Sequence, residues 1–198
     1  MSQAPSPRGR TNEQEVRALL ERHGAILPGH FELSSGRHSD LYVQKSRLLE
    51  RPEATVRMAR EIASWYEAVD VVVAPAVGAI PLGFAVALEA GARSVFAERE
   101  DGEMRLRRGF EVRSGERALV VEDVVTTGGS AGEVWELAGT TGAERIGVAA
   151  LVDRSSGALD FPLRALLRLT ALSWPAMDCR LCAQGRPIDS PGSRRLAG

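Results

Sequence analysis

Ala118-Leu119-Val120-Val121-Glu122-Asp123-Val124-Val125-Thr126-Thr127-Gly128-Gly129-Ser130 runs from an uninterrupted apolar segment into two adjacent acids and then a hydroxyl- and glycine-rich turn. Apolar residues at successive positions predict a strand covered on both faces, ending at the acids, and the turn opens a helix predicted from about Ala131. Glycines let backbone N–H groups turn inward, Thr and Ser hydroxyls add donors, and the helix start turns its positive end to an anion. A phosphate monoester fits there. Glu122 and Asp123 would repel that phosphate at contact distance, so they are expected to accept hydrogen bonds from a vicinal diol nearby, as a ribose offers. The stretch therefore predicts a 5-phosphoribosyl ligand. As a mere strand-to-helix connection it would desolvate two acids to no purpose. No G-x-x-x-x-G-K-[ST] loop is present, and no G-x-G-x-x-G follows a strand with an acid at the right distance beyond it, so neither a nucleoside triphosphate nor a dinucleotide is favoured.

Outward from this stretch, strands predicted over 69–74, 94–98, 118–121, 146–152 and 164–169 alternate with helices over 81–90 and 131–141. That alternation predicts an α/β fold with a central parallel sheet flanked by helices, its ligands beyond the strands' carboxyl ends. Upstream, Thr11 or Asn12 can cap a helix reaching about His23, with Val16, Leu19 and Leu20 on one face. Residues 25–44 suggest a small hood of loops with short strands over 31–33 and 41–43, and Pro52 starts a helix to about Glu67. The charged, Gly-containing segment 100–108 predicts a two-stranded excursion that serves as a mobile lid. The expected organisation is a disordered leader over 1–11 and one domain over 12–198, comprising helix and hood (12–50), α/β core (51–172) and tail (173–198).

Composition narrows the partners. The 198 residues are 44% hydrophobic with a net charge of −1, which suits one sizeable core and argues against nucleic acid, whose binding needs a strongly basic surface. No apolar run reaches membrane-spanning length and the start lacks a secretory signal, so no membrane partner and a cytoplasmic location are expected. Of 25 basic residues only Lys45 is a lysine. Arginine stays charged at any workable pH, so it clamps phosphates well and donates protons poorly.

The apolar residues, two acids, two apolar positions and T-T-G-G-S resemble the phosphoribosyl pyrophosphate (PRPP) signature of type I phosphoribosyltransferases. Gly29-His30-Phe31-Glu32-Leu33-Ser34-Ser35-Gly36-Arg37-His38-Ser39 is similar to the hood segment of the orotate branch of that family, and Leu151-Val152-Asp153-Arg154 to its orotate-binding Asp-Arg. The resemblance, from about Glu13 into the tail, implies a type I phosphoribosyltransferase fold and transfer of the phosphoribosyl group from PRPP to orotate, giving orotidine 5'-monophosphate and pyrophosphate in pyrimidine biosynthesis. It also implies Mg²⁺ held through PRPP with no direct protein ligand, and a homodimer whose lid can reach the neighbour's site. The alternatives are a phosphoribosyltransferase for another nucleobase and a non-catalytic PRPP-sensing regulator.

On this reading Glu122 and Asp123 hold the ribose hydroxyls and stabilise positive charge at the glycosidic carbon, while the segment from Val124 and Val125 through Thr126, Thr127, Gly128, Gly129 and Ser130 anchors the 5'-phosphate. Thr126 lies near the base, and Arg154 pairs with the orotate carboxylate. Ser35, Gly36 and Arg37 could close the base pocket, with Tyr42 as a stacking residue. The turn Ala76-Val77-Gly78-Ala79 follows a strand and precedes a helix, so its N–H groups can cradle a second anion, which the resemblance makes pyrophosphate. Many orotate enzymes carry an aromatic residue and a lysine where Val77 and Gly78 stand, so only main-chain contacts are expected here. Arg99 is expected to receive pyrophosphate too, whereas Arg105, Arg107 and Arg108 sit among acids that balance a solvated hairpin. The lid has neither lysine nor histidine, so charge neutralisation by arginine and Mg²⁺ has to serve the leaving group.

Cys179-x-x-Cys182 is half of a tetrahedral zinc site, and a two-fold dimer could supply the other half. His23, His30 and His38 have no ligand-like spacing with it, and two reduced thiols without a metal are the expectation.

Overall fold

The computed structural model describes residues 12–33, 35–170 and 172–191. The predicted leader over 1–11, Thr11 as a cap and the end of the predicted tail over 192–198 lie outside the described residues. Helix α1 (Glu13–Arg22) starts on Asn12, whose side-chain oxygen accepts from the Glu15 N–H at 2.9 Å. Its Val16, Leu19 and Leu20 are buried, as their spacing predicts. Strands β1 (Ile26–Glu32) and β2 (His38–Val43) then form an antiparallel hairpin, and β9 (Ser173–Trp174), from the far end of the chain, pairs with β2. Both hairpin strands start earlier than their sequence suggests. Ile26 pairs with Val43 and closes a buried apolar end, while an irregularity between Pro28 and Phe31 masks the alternation.

Helices α2 (Ser46–Leu49) and α3 (Pro52–Ala63) follow. Helix α3 stops at Ala63 rather than near Glu67, because Trp65 and Tyr66 turn back onto the core. The main sheet is built from β3 (Val71–Pro75), β4 (Arg93–Glu100), β5 (Glu103–Leu106), β6 (Arg117–Val125), β7 (Glu144–Asp153) and β8 (Leu163–Arg168). Its strand order is β5-β4-β3-β6-β7-β8, parallel throughout except for the hairpin β4–β5. Helices α4 (Ile80–Ala90) and α5 (Gly129–Thr140) are the crossovers after β3 and β6. The hairpin is the excursion predicted over 100–108.

Two boundaries shift at the decisive stretch. Strand β6 continues four residues past Val121, because Val124 and Val125 find register partners in Val152 and Asp153 of β7. The acids therefore sit inside the strand rather than at its end. Helix α5 begins at Gly129, with Gly128 in the left-handed region (φ 81°) as its cap; a Cβ there would lie 2.6 Å from Leu159.

Successive strand residues feed opposite faces. Val72, Leu119, Val121 and Leu151 join Leu20, Met58, Ile62 and Leu82 on one side, while Val71, Val73, Val120 and Val148 join Val134 and Trp135 on the other. Leu119 is fully buried, and its truncation to Ala would cost about 2–5 kcal/mol. This double covering fixes the sheet and leaves its carboxyl edge free to carry polar groups. No helix among the described residues is long and apolar enough to cross a membrane.

Candidate active site

The carboxyl ends of β3, β6 and β7 lie side by side, and each carries one predicted segment: 76–79, 122–130 and Arg154. Glu122, Val124, Val125, Thr126, Thr127, Gly128, Gly129 and Ser130 line a cavity of 70 Å³. Thr126, Thr127, Gly129 and Ser130 are exposed around it at the start of α5. This is where the sequence reading expects an anion. A larger groove, of 360 Å³, lies by the opposite end of β3, between the ends of α3 and α4, away from every predicted site residue.

The two acids differ. Glu122 accepts from the Asp123 N–H at 2.9 Å, and burial, reinforced by the negative charge of Asp123, pushes its carboxyl up to about 8. Burial beside Asp123 therefore favours the protonated form of Glu122, which has an O–H to donate. Asp123 is held by Lys45, whose Nζ lies 2.8 Å from Oδ1 and 2.6 Å from Oδ2. The geometry at Oδ2 is that of an ion pair without an aligned hydrogen bond, so this buried oxygen still lacks a donor.

Lys45 is the residue that sequence reasoning missed. The chain's single lysine was given no place in the site, yet it follows β2 and meets Asp123 at the carboxyl edge of the sheet. Gly78 makes room for it: a Cβ at Gly78 would overlap Asp123 Oδ2 and lie 2.7 Å from Lys45 Nζ. The 76–79 turn thus has a charged side chain from another element beside its main-chain groups. Lys45 fills the space that a side chain on residue 78 would occupy. Its status as sole lysine in an arginine-rich chain was the available signal. Val77 is exposed, Ala79 is buried, and the Ala76 N–H donates to the Ala97 carbonyl.

Arg154 follows β7, and its N–H donates to the Val125 carbonyl at 2.8 Å, tying it to the end of β6. Its Nη2 donates to Ser39 Oγ and the Leu41 carbonyl, both at 3.3 Å, while Nε is buried without a partner. Burial lowers its pKa below the ordinary arginine value, against Asp40 and Tyr42. No carboxylate among the described residues forms an ion pair with it. Asp153 accepts from the Ser155 N–H and O–H at 2.8 and 2.6 Å, fixing the turn in which Arg154 stands. The guanidinium therefore carries its charge half-buried, with one buried donor unpartnered.

Other predicted residues lie elsewhere. Arg99 on β4 bonds the Gly102 carbonyl and, at 2.8 Å, Glu133 of α5, so its guanidinium is occupied away from the acid pair. Arg105, Arg107 and Arg108 pair with Glu103, Glu100 and Glu98, the balanced hairpin expected of them. Arg37 donates to the Ser173 side chain and carbonyl, fastening the tail instead of lining a base pocket. The Tyr42 ring packs against Phe31, with centroids 5.6 Å apart.

One correction concerns the thiols. His30 and His38, without ligand-like spacing in sequence, stand beside Cys179 and Cys182, and a single chain brings all four donors together. The hairpin and the returning tail create a neighbourhood that linear spacing cannot express.

Comparison with known proteins agrees with this geometry. Residues 46–161 match the Phosphoribosyl transferase domain family. The chain is 50% identical to the orotate phosphoribosyltransferase of Thermotoga petrophila, over 91% of this chain and 99% of that protein. It is 46% identical to the orotate phosphoribosyltransferase of Caldanaerobacter subterraneus, over 93% of this chain and 99% of that protein. Among solved structures, the Mycobacterium tuberculosis orotate phosphoribosyltransferase in complex with inorganic phosphate superposes with a TM-score of 0.62 at 30% identity, covering 79% of this chain and 95% of that one.

Proposed function

The chain belongs to the phosphoribosyl transferase family, and on that premise we infer that it is an orotate phosphoribosyltransferase, which moves the 5-phosphoribosyl group from PRPP to orotate and releases pyrophosphate. The observation that carries the choice of base is Arg154: half-buried, without a carboxylate partner among the described residues and held at the end of β7 by neutral acceptors alone, it fits the carboxylate that separates orotate from uracil.

The N–H and hydroxyl groups of Thr126 to Ser130 hold the 5'-phosphate at the start of α5. Protonated Glu122 donates to one ribose hydroxyl, and Asp123 accepts from the other. Asp123 Oδ2, without a donor beforehand, can accept that bond, and PRPP offers Lys45 a second anion to pair with. With its flexible stem and 40% side-chain exposure, Lys45 swings from Asp123 to the pyrophosphate of PRPP over the 76–79 turn. Its departure leaves Asp123 negative beside the glycosidic carbon as positive charge develops there, and its ammonium supports the leaving group. The lysine-free lid then matters less than its sequence suggests. Arg99 joins on lid closure, when it exchanges Glu133 for phosphate oxygens.

Mg²⁺ belongs to the same proposal. Two adjacent oxygen donors, one favouring its protonated form and one lysine-bound, do not form a cage of their own and fit an ion that takes most of its oxygens from PRPP. Held there through PRPP, such an ion would supply charge neutralisation to the pyrophosphate. A homodimer is supported by α4, which exposes Phe84 and Leu88 one turn apart, at 60% and 64%.

The test is a steady-state assay with PRPP, Mg²⁺ and a panel of bases. Orotate is expected to react alone among orotate, uracil, adenine and xanthine. Turnover of another base in its place would overturn the assignment, and PRPP binding without turnover of any base would favour a sensor.

A further inference from the structure

Cys179 precedes the single-turn helix α6 (Arg180–Ala183) and Cys182 lies within it, so their spacing puts both thiols on one side. Across from them, His38 opens β2 and pairs with Glu32, two residues beyond His30, which sets both imidazoles on one face of the hairpin. The donor atoms converge. His30 Nε2 lies 3.2 Å from His38 Nδ1 and 3.4 Å from Cys179 Sγ, and Cys182 Sγ lies 3.7 Å from His30 Nε2 and 3.3 Å from His38 Nδ1. All four lie within 4.8 Å of one another. A tetrahedron with zinc–nitrogen bonds of about 2.0–2.1 Å and zinc–sulfur bonds of about 2.3 Å has edges of about 3.3–3.8 Å. These four of the six separations are already close to those edges.

The surroundings prepare these atoms as ligands. His30 Nδ1 lies 3.0 Å from the Arg186 carbonyl, which can only accept, so the ring proton sits on Nδ1 and the Nε2 lone pair faces the cluster. His30, His38 and Cys179 are buried, while Cys182 is exposed and offers a path of entry. The set is two sulfurs and two imidazole nitrogens, with no carboxylate. That composition and shape select Zn²⁺ over Mg²⁺ or Ca²⁺.

We propose that His30, His38, Cys179 and Cys182 bind one Zn²⁺ in a closed tetrahedral site that fastens the C-terminal tail to the hood. Each thiol gives its proton to solvent on binding, and two thiolates balance the ion's charge. No position remains open for water, so the site is structural. The clasp adds to a light fastening: α6 is one turn long and β9 two residues, and the tail otherwise rests on scattered hydrogen bonds, those of Asp189 with the backbone of residues 30 and 32, at 2.9 Å each, of Arg37 with Ser173 and of Ser190 with Glu32. The clasp also reaches the catalytic edge, because Ser39, next to His38, orients Arg154. Only this last link rests on the orotate reading.

The test starts with untagged protein purified in reducing buffer without chelator, whose metal content is measured by plasma mass spectrometry. The expected content is about one zinc per chain, falling by about tenfold or more in the C179S/C182S double variant. Replacement by Co²⁺ is expected to give tetrahedral d–d bands with thiolate charge transfer, a signature independent of whether the variant folds. Wild-type protein that carries no zinc and takes up none on titration would overturn the proposal. So would zinc retained in full by the double variant, or a Cys179–Cys182 disulfide in the freshly reduced protein. An intact zinc content with no activity on any base would leave the clasp standing and sink the orotate reading.

Discussion

The carboxyl edge of the main sheet and the junction of hood and tail are both polar clusters set against apolar surroundings, yet they are assembled in opposite ways. At the sheet edge, neighbours in sequence do most of the work: Glu122 through Ser130 supply acids, hydroxyls and N–H groups in one continuous run. At the junction, four donors arrive from β1, β2 and a tail some 140 residues further on, and none is informative alone. A site that binds a flexible ligand can be built from a loop that one strand and one helix hold still. A closed metal site instead needs ligands on separate elements, because its work is to join them.

Substitutions can break this contrast. The largest effect is expected for D123N, with kcat/KM reduced by about 10²–10³-fold, as when a preorganised charge facing the transition state is lost, and little change in Tm. K45A comes next. Removing a charged partner from the pyrophosphate should lower kcat by about 10–100-fold, and an unchanged kcat would confine Lys45 to its ion pair with Asp123. Chelation of the junction is expected to act in the other register: Tm falls by about 2–4 °C for each kcal/mol lost, and affinity for orotate weakens more than affinity for PRPP.

The smallest effect separates the two acids. Glu122 titrates at about 8 in the folded chain against 4.5 ordinarily. Between those values the unfolded chain has released a proton that the folded one keeps, so this group's contribution to stability declines as pH rises from about 4.5 to about 8. E122Q should flatten that decline in denaturant titrations across the same window. Because Gln resembles the protonated acid, it should also lose less activity at neutral pH than D123N. A steeper decline, or equal losses, would mean that Glu122 works as an anion.

The same contrast explains what was legible in sequence. The parallel sheet follows from apolar strands alternating with helices, and the ligand class from the run at 122–130, because both are local patterns. The extension of β6 to Val125 was hidden, since Glu122 and Asp123 look like a strand's end until β7 offers register partners to Glu122, Val124 and Val125. Lys45 was hidden because Gly78, whose missing side chain admits it, lies on another element. His30 and His38 were hidden because a hairpin and a returning tail, not spacing, bring them to the cysteines. Arg154 was legible only through the resemblance of Asp153-Arg154 to a known motif; its unpaired Nε is a fact of three dimensions.

The central claim is that orotate is recognised by Arg154 beside an independent cradle for PRPP. Calorimetric titration of R154A with PRPP and Mg²⁺, paired with steady-state kinetics on orotate, tests it most directly. The account predicts PRPP affinity within about threefold of wild type and a loss in kcat/KM for orotate of about 10²–10³-fold, the scale of removing one partner from a buried charged pair. Equal loss of both, or orotate turnover that survives the substitution, would contradict it.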